Sequence, residues 1–345
     1  MNLYLCNITF GINPHLLKMI LRTQIKLSPA PFTIGYDSQG VICGSCFSER
    51  IGQRLVEGKM PVSLNPYGIL FNPISILSTL EDLHANRKTD PNELIQHEGR
   101  WIDLRCHGSF SASTADKLIR MIDTATLQGH TSLQKARYVI ITWGTAWVYE
   151  HKDTSRVVAN CHKLPQQDFI RRRLSVEEIV NAWETPLRSY LQDKQVIFTV
   201  SPVRHLRDGL ADNQLSKSTL IVAAHTLVEQ FANCHYFPAY EIMMDDLRDY
   251  RFYDRDMIHP SDLAADYIWE QFCNWVIAPQ AQQTIQRITA LQQMLSHRPL
   301  HPDSPAFKTF LTKIAAEIDT LQKCYPQLDF NEERRRFTQL ESYEQ

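Results

Sequence analysis

The sequence predicts an α/β fold in which helices flank a parallel β-sheet. Short β-rich runs alternate with helical patterns along most of the chain, which is typical of strand–helix–strand units. Two runs, residues 137–143 and 195–203, are mostly apolar and rich in β-branched side chains, as buried parallel strands are. Strand patterns end near Ala278, so the residues beyond it are expected to form helices.

The elements of the predicted sheet domain follow one another in a regular order. A first strand is expected near GVICGS, residues 40–45, and a helix over residues 47–57. Ser175 and Glu178 have the spacing of a capping box, which predicts a helix over residues 175–192. The remaining elements are a helix over residues 213–233, a strand over residues 234–243 and a last helix that begins near residue 260 or 261.

Three regions are predicted along the chain. Residues 1–22 form an N-terminal extension, residues 23–277 an α/β domain, and residues 278–345 a helical appendage of two long polar helices. An insertion around residues 75–123 has a weak β pattern and is expected on the active-site face. Three roles of the appendage stay open: it would form a homo-oligomer, cap the domain or close over substrate. Met19 is an alternative start, because the strand-like TQIKL begins soon after it.

The composition excludes several classes of partner. The 345 residues include 36 Lys and Arg against 38 Asp and Glu, so no net basic field would attract nucleic acid or an anionic membrane. No window approaches the roughly 18 apolar residues that cross a bilayer, and the N-terminus lacks the features of a secretory signal. A cytoplasmic location is therefore expected. Eight scattered cysteines favour reduced thiols over a disulfide framework.

The stretch VICGSC, residues 41–46, has three interpretations. Cys43 and Cys46 have the C-x-x-C spacing of a redox dithiol or of half a metal site. Ser45 lies at a predicted strand-to-helix turn, where a nucleophile would be presented. The third interpretation is a tight turn of small residues. No second C-x-x-C pair completes a metal site, and adjacent Cys-His residues chelate one ion poorly, so no metal is expected.

Asp256 and His259 are candidates to activate Ser45. A serine hydroxyl needs a base that removes its proton, and the base needs a partner that holds its tautomer. In an open α/β sheet such groups lie at the carboxyl ends of the strands. Asp256 and His259 are three residues apart just before the last predicted helix, so a turn can bring carboxylate and imidazole together. The other interpretation is a loop aspartate and a helix-capping histidine.

Several segments together resemble a known family. Gly44-Ser45-Cys46-Phe47 followed by Ser48 is similar to the Gly-Ser-Cys-Phe-Ala signature of the GSCFA family, which is related to the SGNH/GDSL esterases and lipases. Further blocks occur in the order of the family: NPYGILFNPISI, GTAWVYE, ANCHKLP, SPVRHLRDG and DMIHPS. With their flanking elements these segments cover residues 23–272, which is most of the chain.

The resemblance implies a three-layer α/β/α sandwich around a parallel sheet of about five strands, flavodoxin-like in style. It implies Ser45 as the nucleophile, His259 as the base and Asp256 as the partner of the base. Cys43 and Cys46 are then small, half-buried neighbours of the serine. Such a reaction requires no cofactor or metal.

The same resemblance indicates an oxyanion hole that includes the N–H groups of Ser45 and Gly68. The broader superfamily adds an asparagine from a Gly-x-Asn-Asp block, but this chain has Gly-Thr-Ala-Trp at residues 144–147. Thr145, or the amide of Asn72 or Asn65, would then supply the third donor. Losing one such donor costs about 10²–10³ in rate, so the missing asparagine also fits a protein without efficient chemistry.

Five further residues are candidate substrate contacts: Arg204, His205, His162, His107 and Trp147. Arg204 and His205 follow a predicted strand end, where Arg204 would either bind a carboxylate or sugar oxygen or fix a loop. His162 and His107 would line the pocket or be structural histidines. Trp147 would stack on a sugar ring or belong to the core.

The sequence therefore predicts a serine esterase that removes a small acyl group, such as an O-acetyl group on a carbohydrate, through an acyl-enzyme on Ser45. Two alternatives stay open. An acyltransferase would pass the same acyl group to a sugar hydroxyl instead of water. A non-catalytic carbohydrate-binding protein would keep the fold after losing efficient chemistry. The expected partner is a small-molecule or carbohydrate ester.

Overall fold

The computed structural model describes residues 23–342. The strands are β1 (Gly40–Gly44), β2 (Val62–Leu64), β3 (Ile95–His97), β4 (Arg100–Ile102), β5 (Ser111–Ala112), β6 (Tyr138–Trp143), β7 (Trp147–His151), β8 (Arg156–Val158), β9 (Phe169–Arg173), β10 (Gln195–Val200) and β11 (Cys234–Phe237). The helices are α1 (Cys46–Glu57), α2 (Pro73–Ala85), α3 (Ala115–Lys135), α4 (Val176–Arg188), α5 (Leu210–Gln230), α6 (Ala239–Glu241), α7 (Asp262–Val276), α8 (Pro279–Leu295), α9 (Pro305–Cys324) and α10 (Asn331–Glu341). The extension predicted for residues 1–22, with the alternative start at Met19, lies outside the described residues.

Five strands form a parallel sheet in the order β2-β1-β6-β10-β11. Numbered by their own order in the chain, they are strands 2-1-3-4-5, which is the flavodoxin-like doubly wound order. The strand order reverses between β1 and β6, so the crevice beyond their carboxyl ends is where such a sheet binds ligands. The predicted three-layer α/β/α sandwich with a five-stranded parallel sheet is confirmed.

The sheet separates two hydrophobic cores. Successive side chains of β1 alternate between them, as the period of a strand requires: Ile42 packs on one side, and Val41 and Cys43 on the other. Helices α1 and α7 cover the first side, and α2, α3, α4 and α5 cover the second. Each fully buried branched side chain contributes about 1.5–3 kcal/mol, so the sheet is held firmly from both faces.

Most predicted elements lie close to their expected bounds. Ser175 Oγ accepts a hydrogen bond from the N–H of Glu178 (3.1 Å), and the Glu178 carboxylate accepts one from the N–H of Ser175 (2.7 Å). This confirms the predicted capping box at the start of α4. The strand predicted over residues 234–243 is too long, because it ends at Phe237 and Pro238 precedes a helical turn.

The segment predicted as a β-rich insertion at residues 75–123 is only partly β. Most of α2 and the start of α3 lie within it, and both helices pack on the sheet. Its strands are confined to the small antiparallel sheet β3-β4-β5. A second small antiparallel sheet, in the order β8-β7-β9, lies between β6 and α4 and is not predicted by the sequence.

The C-terminal part contains three helices, α8, α9 and α10, where the sequence predicts two. Each buries apolar side chains, such as Ile288, Ile314 and Leu340, in the core that α1 and α7 share. The domain boundary near residue 278 and a homo-oligomer formed through these helices stay predictions. No helix within residues 23–342 has the length and apolar character needed to cross a bilayer.

The end of β1 lies tightly against β6 at Gly44. A Cβ atom at Gly44 would lie 2.5 Å from the carbonyl oxygen of Thr142 and 2.7 Å from its Cβ. We therefore expect Gly44→Ala to lower the free energy of unfolding by about 1–3 kcal/mol, because the strands must separate. Urea unfolding measures this change. In the control Gly108→Ala the added atom would lie an ordinary 3.5 Å from Asn160 Nδ2, so equal losses would contradict the clash.

Candidate functional site

The β1–α1 turn places Ser45 at the carboxyl edge of the sheet. Ser45 is the N-cap residue of α1, but its side chain makes no capping hydrogen bond. The residue is 1% exposed, and its Oγ is buried without a hydrogen-bond partner. Its N–H donates to the carbonyl oxygen of Thr142 on β6 (3.3 Å). The hydroxyl predicted to be the nucleophile is therefore closed off from solvent.

Cys46 is the first residue of α1 and is half-buried. It packs at the edge of the core on the α1 side, whereas Cys43 is buried in the core on the other side of the sheet. Both thiols are free, and their placement is not that of a dithiol pair. Burial raises the pKa of the Cys46 thiol, while the N–H groups of Phe47 and Cys46 and the Lys217 ammonium oppose this rise.

Asp256 and His259 form a hydrogen-bonded pair in the turn before α7. The Asp256 carboxylate accepts from His259 Nδ1–H (2.6 Å) and from the N–H groups of Ile258 (2.8 Å) and His259 (3.0 Å). These bonds, led by that from the His259 N–H, lower the pKa of Asp256 to about 2. An ionised carboxylate only accepts, so Nδ1 carries the imidazole proton and Nε2 keeps the lone pair. In the neutral imidazole this geometry leaves Nε2 able to accept a proton, and the role of His259 as a base stays a prediction.

Backbone contacts fix this turn. The N–H of Asp254 donates to the carbonyl oxygen of His259 (2.7 Å), and Met257 has a left-handed backbone with φ of 59°. Such a φ is uncommon for a residue other than glycine and is frequent at functional sites. The N–H of Arg204 donates to the carbonyl oxygen of Ile258 (3.1 Å), which ties the turn to the segment after β10.

Helix α1 brings the two turns to the same edge of the sheet. Arg50 Nη1 donates to the carbonyl oxygen of Pro260 (2.8 Å), and Arg50 also forms an ion pair with Asp262. His259 makes no hydrogen bond to Ser45 or Cys46 in the described structure. Catalytic hydrogen bonds are often long without substrate, so the arrangement is compatible with a nucleophile on the β1–α1 turn.

A cavity of about 490 Å³ opens at the carboxyl edge near the ends of β6 and β10. Of the predicted site residues, Asn72, Thr145, Trp147 and His205 line it, and Ser45 and His259 do not. A backbone hydrogen bond nevertheless connects the cavity wall to the β1–α1 turn. The N–H of Leu70 donates to the carbonyl oxygen of Gly44 (2.9 Å), and Phe71 and Asn72 follow at the cavity wall.

A family model described as "GSCFA family" matches residues 40–272, which include the parallel sheet and both turns. The chain belongs to the GSCFA family. A second model, described as "GSCFA domain protein, C-terminal domain", matches residues 288–342. The membership predicted from the GSCF signature and the ordered blocks is therefore confirmed. A comparison with curated proteins finds no match.

In this GSCFA protein three of the predicted oxyanion donors already have partners. Besides the Ser45 N–H, the N–H of Gly68 donates to the carbonyl oxygen of Asn65 (2.7 Å), and that of Thr145 donates to Phe71 (3.0 Å). These groups would have to exchange partners to bind an oxyanion. Sequence motifs place such residues along the chain but do not show where their N–H groups point.

Asn72 is the predicted donor that is best placed to bind a ligand. Its Oδ1 accepts from the N–H of Ser75 (2.8 Å), so it caps α2, and one Nδ2–H donates to Ser75 Oγ (2.9 Å). An amide nitrogen carries two hydrogens. Since Asn72 also lines the cavity, its second Nδ2–H is a candidate donor to substrate.

The other predicted substrate contacts, His162, His107 and Arg204, do not line the cavity. His162 Nε2–H donates to the carbonyl oxygen of Asp103 (2.9 Å), and burial lowers the pKa of its imidazole. His107 is half-buried against Gly68. The Arg204 guanidinium lies 4.1 Å from the centre of the Tyr253 ring. In this structure the three residues support local structure, and a substrate contact stays a prediction.

Lys217 on α5 is a buried titratable group that the sequence does not reveal. It is fully buried, and its Nζ donates to the carbonyl oxygens of Gly144 (2.6 Å) and Ser201 (2.7 Å), which directly follow β6 and β10. Burial lowers the pKa of Lys217 to about 7, and Cys46 opposes this change. A lysine within a helix normally indicates a face exposed to solvent. The only indication that Lys217 is buried comes from apolar neighbours on the same helix, such as Leu220.

No group of three or more His, Cys, Asp or Glu side chains that could hold a metal ion occurs within residues 23–342. The three Cys-His pairs, at residues 106–107, 161–162 and 234–235, have no third ligand of this kind beside them in that range. The described cysteines are free thiols.

Proposed function

We propose that this GSCFA protein hydrolyses short acyl esters, with O-acetylated carbohydrates as the substrate class, through an acyl-enzyme formed at the β1–α1 turn. The observation that carries the proposal is the hydrogen-bonded Asp256–His259 pair beside that turn. His259 Nε2 can take a proton from the nucleophile and return it to the leaving alcohol. The resemblance to the SGNH/GDSL esterases supports the same chemistry.

Two nucleophiles are available on the turn. Ser45 is the one that the resemblance implies, and Cys46 is its neighbour. Acylation would give an oxygen ester in the first case and a thioester in the second. Either residue lies at the start of α1, where an acyl group would meet the N-terminal N–H groups of the helix.

Those N–H groups can stabilise the developing oxyanion. The first N–H groups of a helix have no partner within the helix, and the Ser45 side chain does not cap them. Together with the helix dipole they favour a bound negative charge. Asn72 Nδ2–H is the candidate side-chain donor. This arrangement would replace the asparagine that is absent from residues 144–147.

The cavity supports a carbohydrate substrate. Its volume of about 490 Å³ is in the range of small-molecule sites. Trp147 and Tyr149 line it with aromatic rings, and the Arg171 guanidinium, 4.1 Å from the ring centre, covers one face of Trp147. Asn160 and Gln166 offer amide groups to hydroxyls. A pocket with aromatic surface, amide groups and one guanidinium, that of Arg207, suits a sugar ring better than a long acyl chain.

Ester hydrolysis by the purified full-length chain tests the proposal. We expect release of acetate from p-nitrophenyl acetate and from O-acetylated sugars, and slower reaction with longer acyl groups. Trp147→Ala should raise KM for an acetylated sugar about fivefold, because one stacking contact contributes roughly 1 kcal/mol. It should leave KM for p-nitrophenyl acetate nearly unchanged. No hydrolysis of any short ester by the folded protein would contradict the proposal, and transfer of acetyl to an added sugar would identify an acyltransferase.

A further inference from the structure

We propose that the nucleophile of this site is the Cys46 thiol, so that the acyl-enzyme is a thioester. The inference rests on the acyl-ester function proposed above and names the atom that attacks. It differs from the assignment of Ser45 that the sequence motif suggests. Three independent features of the structure support it: accessibility, helix register and local electrostatics.

Accessibility favours the thiol. Ser45 is 1% exposed, and its Oγ lies in the interior without a hydrogen-bond partner, so an ester carbonyl cannot reach it without a rearrangement. Cys46 is half-buried, so part of the residue is exposed to solvent. A nucleophile needs a path for its substrate, and of Ser45 and Cys46 only Cys46 is partly exposed.

The register of α1 places Cys46 towards the Asp–His turn. Residues four apart lie on one face of a helix. Arg54 forms an ion pair with Asp266, and Arg50, one turn earlier, forms one with Asp262 and binds the carbonyl oxygen of Pro260. Cys46 is the next residue in this row.

Continuing the row by one turn leads to the residues just before Pro260. The partners of the row move back from Asp266 to Asp262, where α7 begins, so its next position lies beyond the helix, beside the loop that ends at Pro260. The Cys46 side chain is thus directed towards the loop that carries His259. Ser45 precedes this row by one position, has the extended backbone of an N-cap residue (φ −72°, ψ 177°), and keeps its Oγ buried.

The surroundings of Cys46 stabilise negative charge at this place. The N–H groups of Phe47 and of Cys46 itself approach the sulfur at the start of α1. A helix N-terminus is a typical environment of reactive cysteines. Because burial keeps the thiol protonated, it needs a base, which His259 supplies.

The reaction then proceeds in two steps, formation of the thioester and its hydrolysis. The Cys46 sulfur attacks the acyl carbon while His259 Nε2 takes the thiol proton, and the tetrahedral intermediate breaks its bond to the alkoxy oxygen. His259 returns the proton to that oxygen, so the alcohol leaves and a thioester remains. Water then attacks the thioester while His259 takes its proton. The carbon–sulfur bond breaks, the thiol recovers the proton, and the acid leaves.

Alkylation of the full-length protein tests the activated thiol without any ester. We expect iodoacetamide at pH 7.5 to modify Cys46 about tenfold faster than Cys161, which is also half-buried, as measured by peptide mass spectrometry. His259→Ala should slow the modification of Cys46 about tenfold and leave that of Cys161 unchanged. Equal rates at the two cysteines, or no effect of His259→Ala, would overturn the proposal.

The bond in the acyl-enzyme provides the second measurement. Protein quenched in acid during turnover of p-nitrophenyl acetate should carry an acetyl group on Cys46 that neutral hydroxylamine removes, because hydroxylamine cleaves thioesters and spares serine esters. Ser45→Ala should keep this adduct and Cys46→Ala should lose it, with Cys46→Ser as a conservative variant. A hydroxylamine-resistant adduct on Ser45 would overturn the proposal.

The experiments distinguish a failure of the thiol assignment from a failure of the proposed ester function. Fast, His259-dependent alkylation of Cys46 without turnover of any ester would keep the thiol assignment and refute the proposed substrate class. Hydrolysis by Cys46→Ala at the wild-type rate would keep the ester function and refute the thiol.

Discussion

Asp256→Asn should lower kcat for ester hydrolysis by about 10⁴ without unfolding the protein. In the wild type the carboxylate accepts from His259 Nδ1–H, which leaves the lone pair on Nε2. An asparagine can turn its Nδ2–H towards Nδ1. The imidazole would then carry its proton on Nε2, where it cannot accept a proton from the nucleophile. Steady-state kinetics with p-nitrophenyl acetate measure the loss.

Asp254→Asn is the matched control, since Asp254 is exposed in the same loop and its Oδ1 accepts only from the N–H of Arg255 in the described contacts (2.7 Å). It should keep nearly wild-type kcat. Combining Asp256→Asn with His259→Ala should cost little more than His259→Ala alone, because the two residues act as a unit. Additive losses would contradict a paired role.

The pH profile follows from the same contacts. With a pKa near 2, Asp256 stays ionised at every pH above about 4. Protonation of Asp256 therefore cannot produce a fall of activity between pH 5 and 7.

The parallel sheet could be predicted because its signals are local. β6 and β10 are continuous buried runs, and the capping box of α4 is complete within four residues. The small sheet of β7, β8 and β9 could not be predicted in this way. Its strands are short and half-exposed, and β9 ends in three arginines, so neither alternation nor a long apolar run marks them.

The site could be located from the sequence but not resolved to single atoms. The motifs place Ser45 and Cys46 at the junction of β1 and α1, and Asp256 and His259 in the turn before α7. Which of two adjacent side chains faces the crevice depends on the rotation of the first turn of α1, and a shift of one residue reverses it. Lys217 was missed because its burial depends on carbonyl groups from β6 and β10, far away in the chain.

Between pH 7 and pH 10, the stability of the wild type relative to Lys217→Met should rise by about 3 kcal/mol. Lys217 releases its proton near pH 7 in the folded protein, against an ordinary value of 10.5. Over this range the unfolded chain binds more protons than the folded one, so the free energy of unfolding rises with pH. Below pH 7 both states hold the proton and the difference should level off.

Urea unfolding of both proteins from pH 6 to pH 10 measures this difference. The comparison with a variant is necessary because buried cysteines such as Cys43 and Cys234, whose pKa values are raised to about 12, lower stability at high pH in both proteins. Lys135→Met, at the exposed end of α3, controls for the loss of one positive charge.

Whether the stability difference between the two proteins rises with pH or stays flat distinguishes two roles for Lys217. A rise with pH means that the neutral amine is the favoured buried form, and that charging it near pH 7 strains the junction of β6 and β10. A flat difference would mean that the two carbonyl oxygens keep the ammonium protonated up to pH 10. In that case Lys217 is a permanent positive charge beneath the β1–α1 turn. It would then favour a thiolate at Cys46 and an oxyanion above it, at the cost of burying a charge.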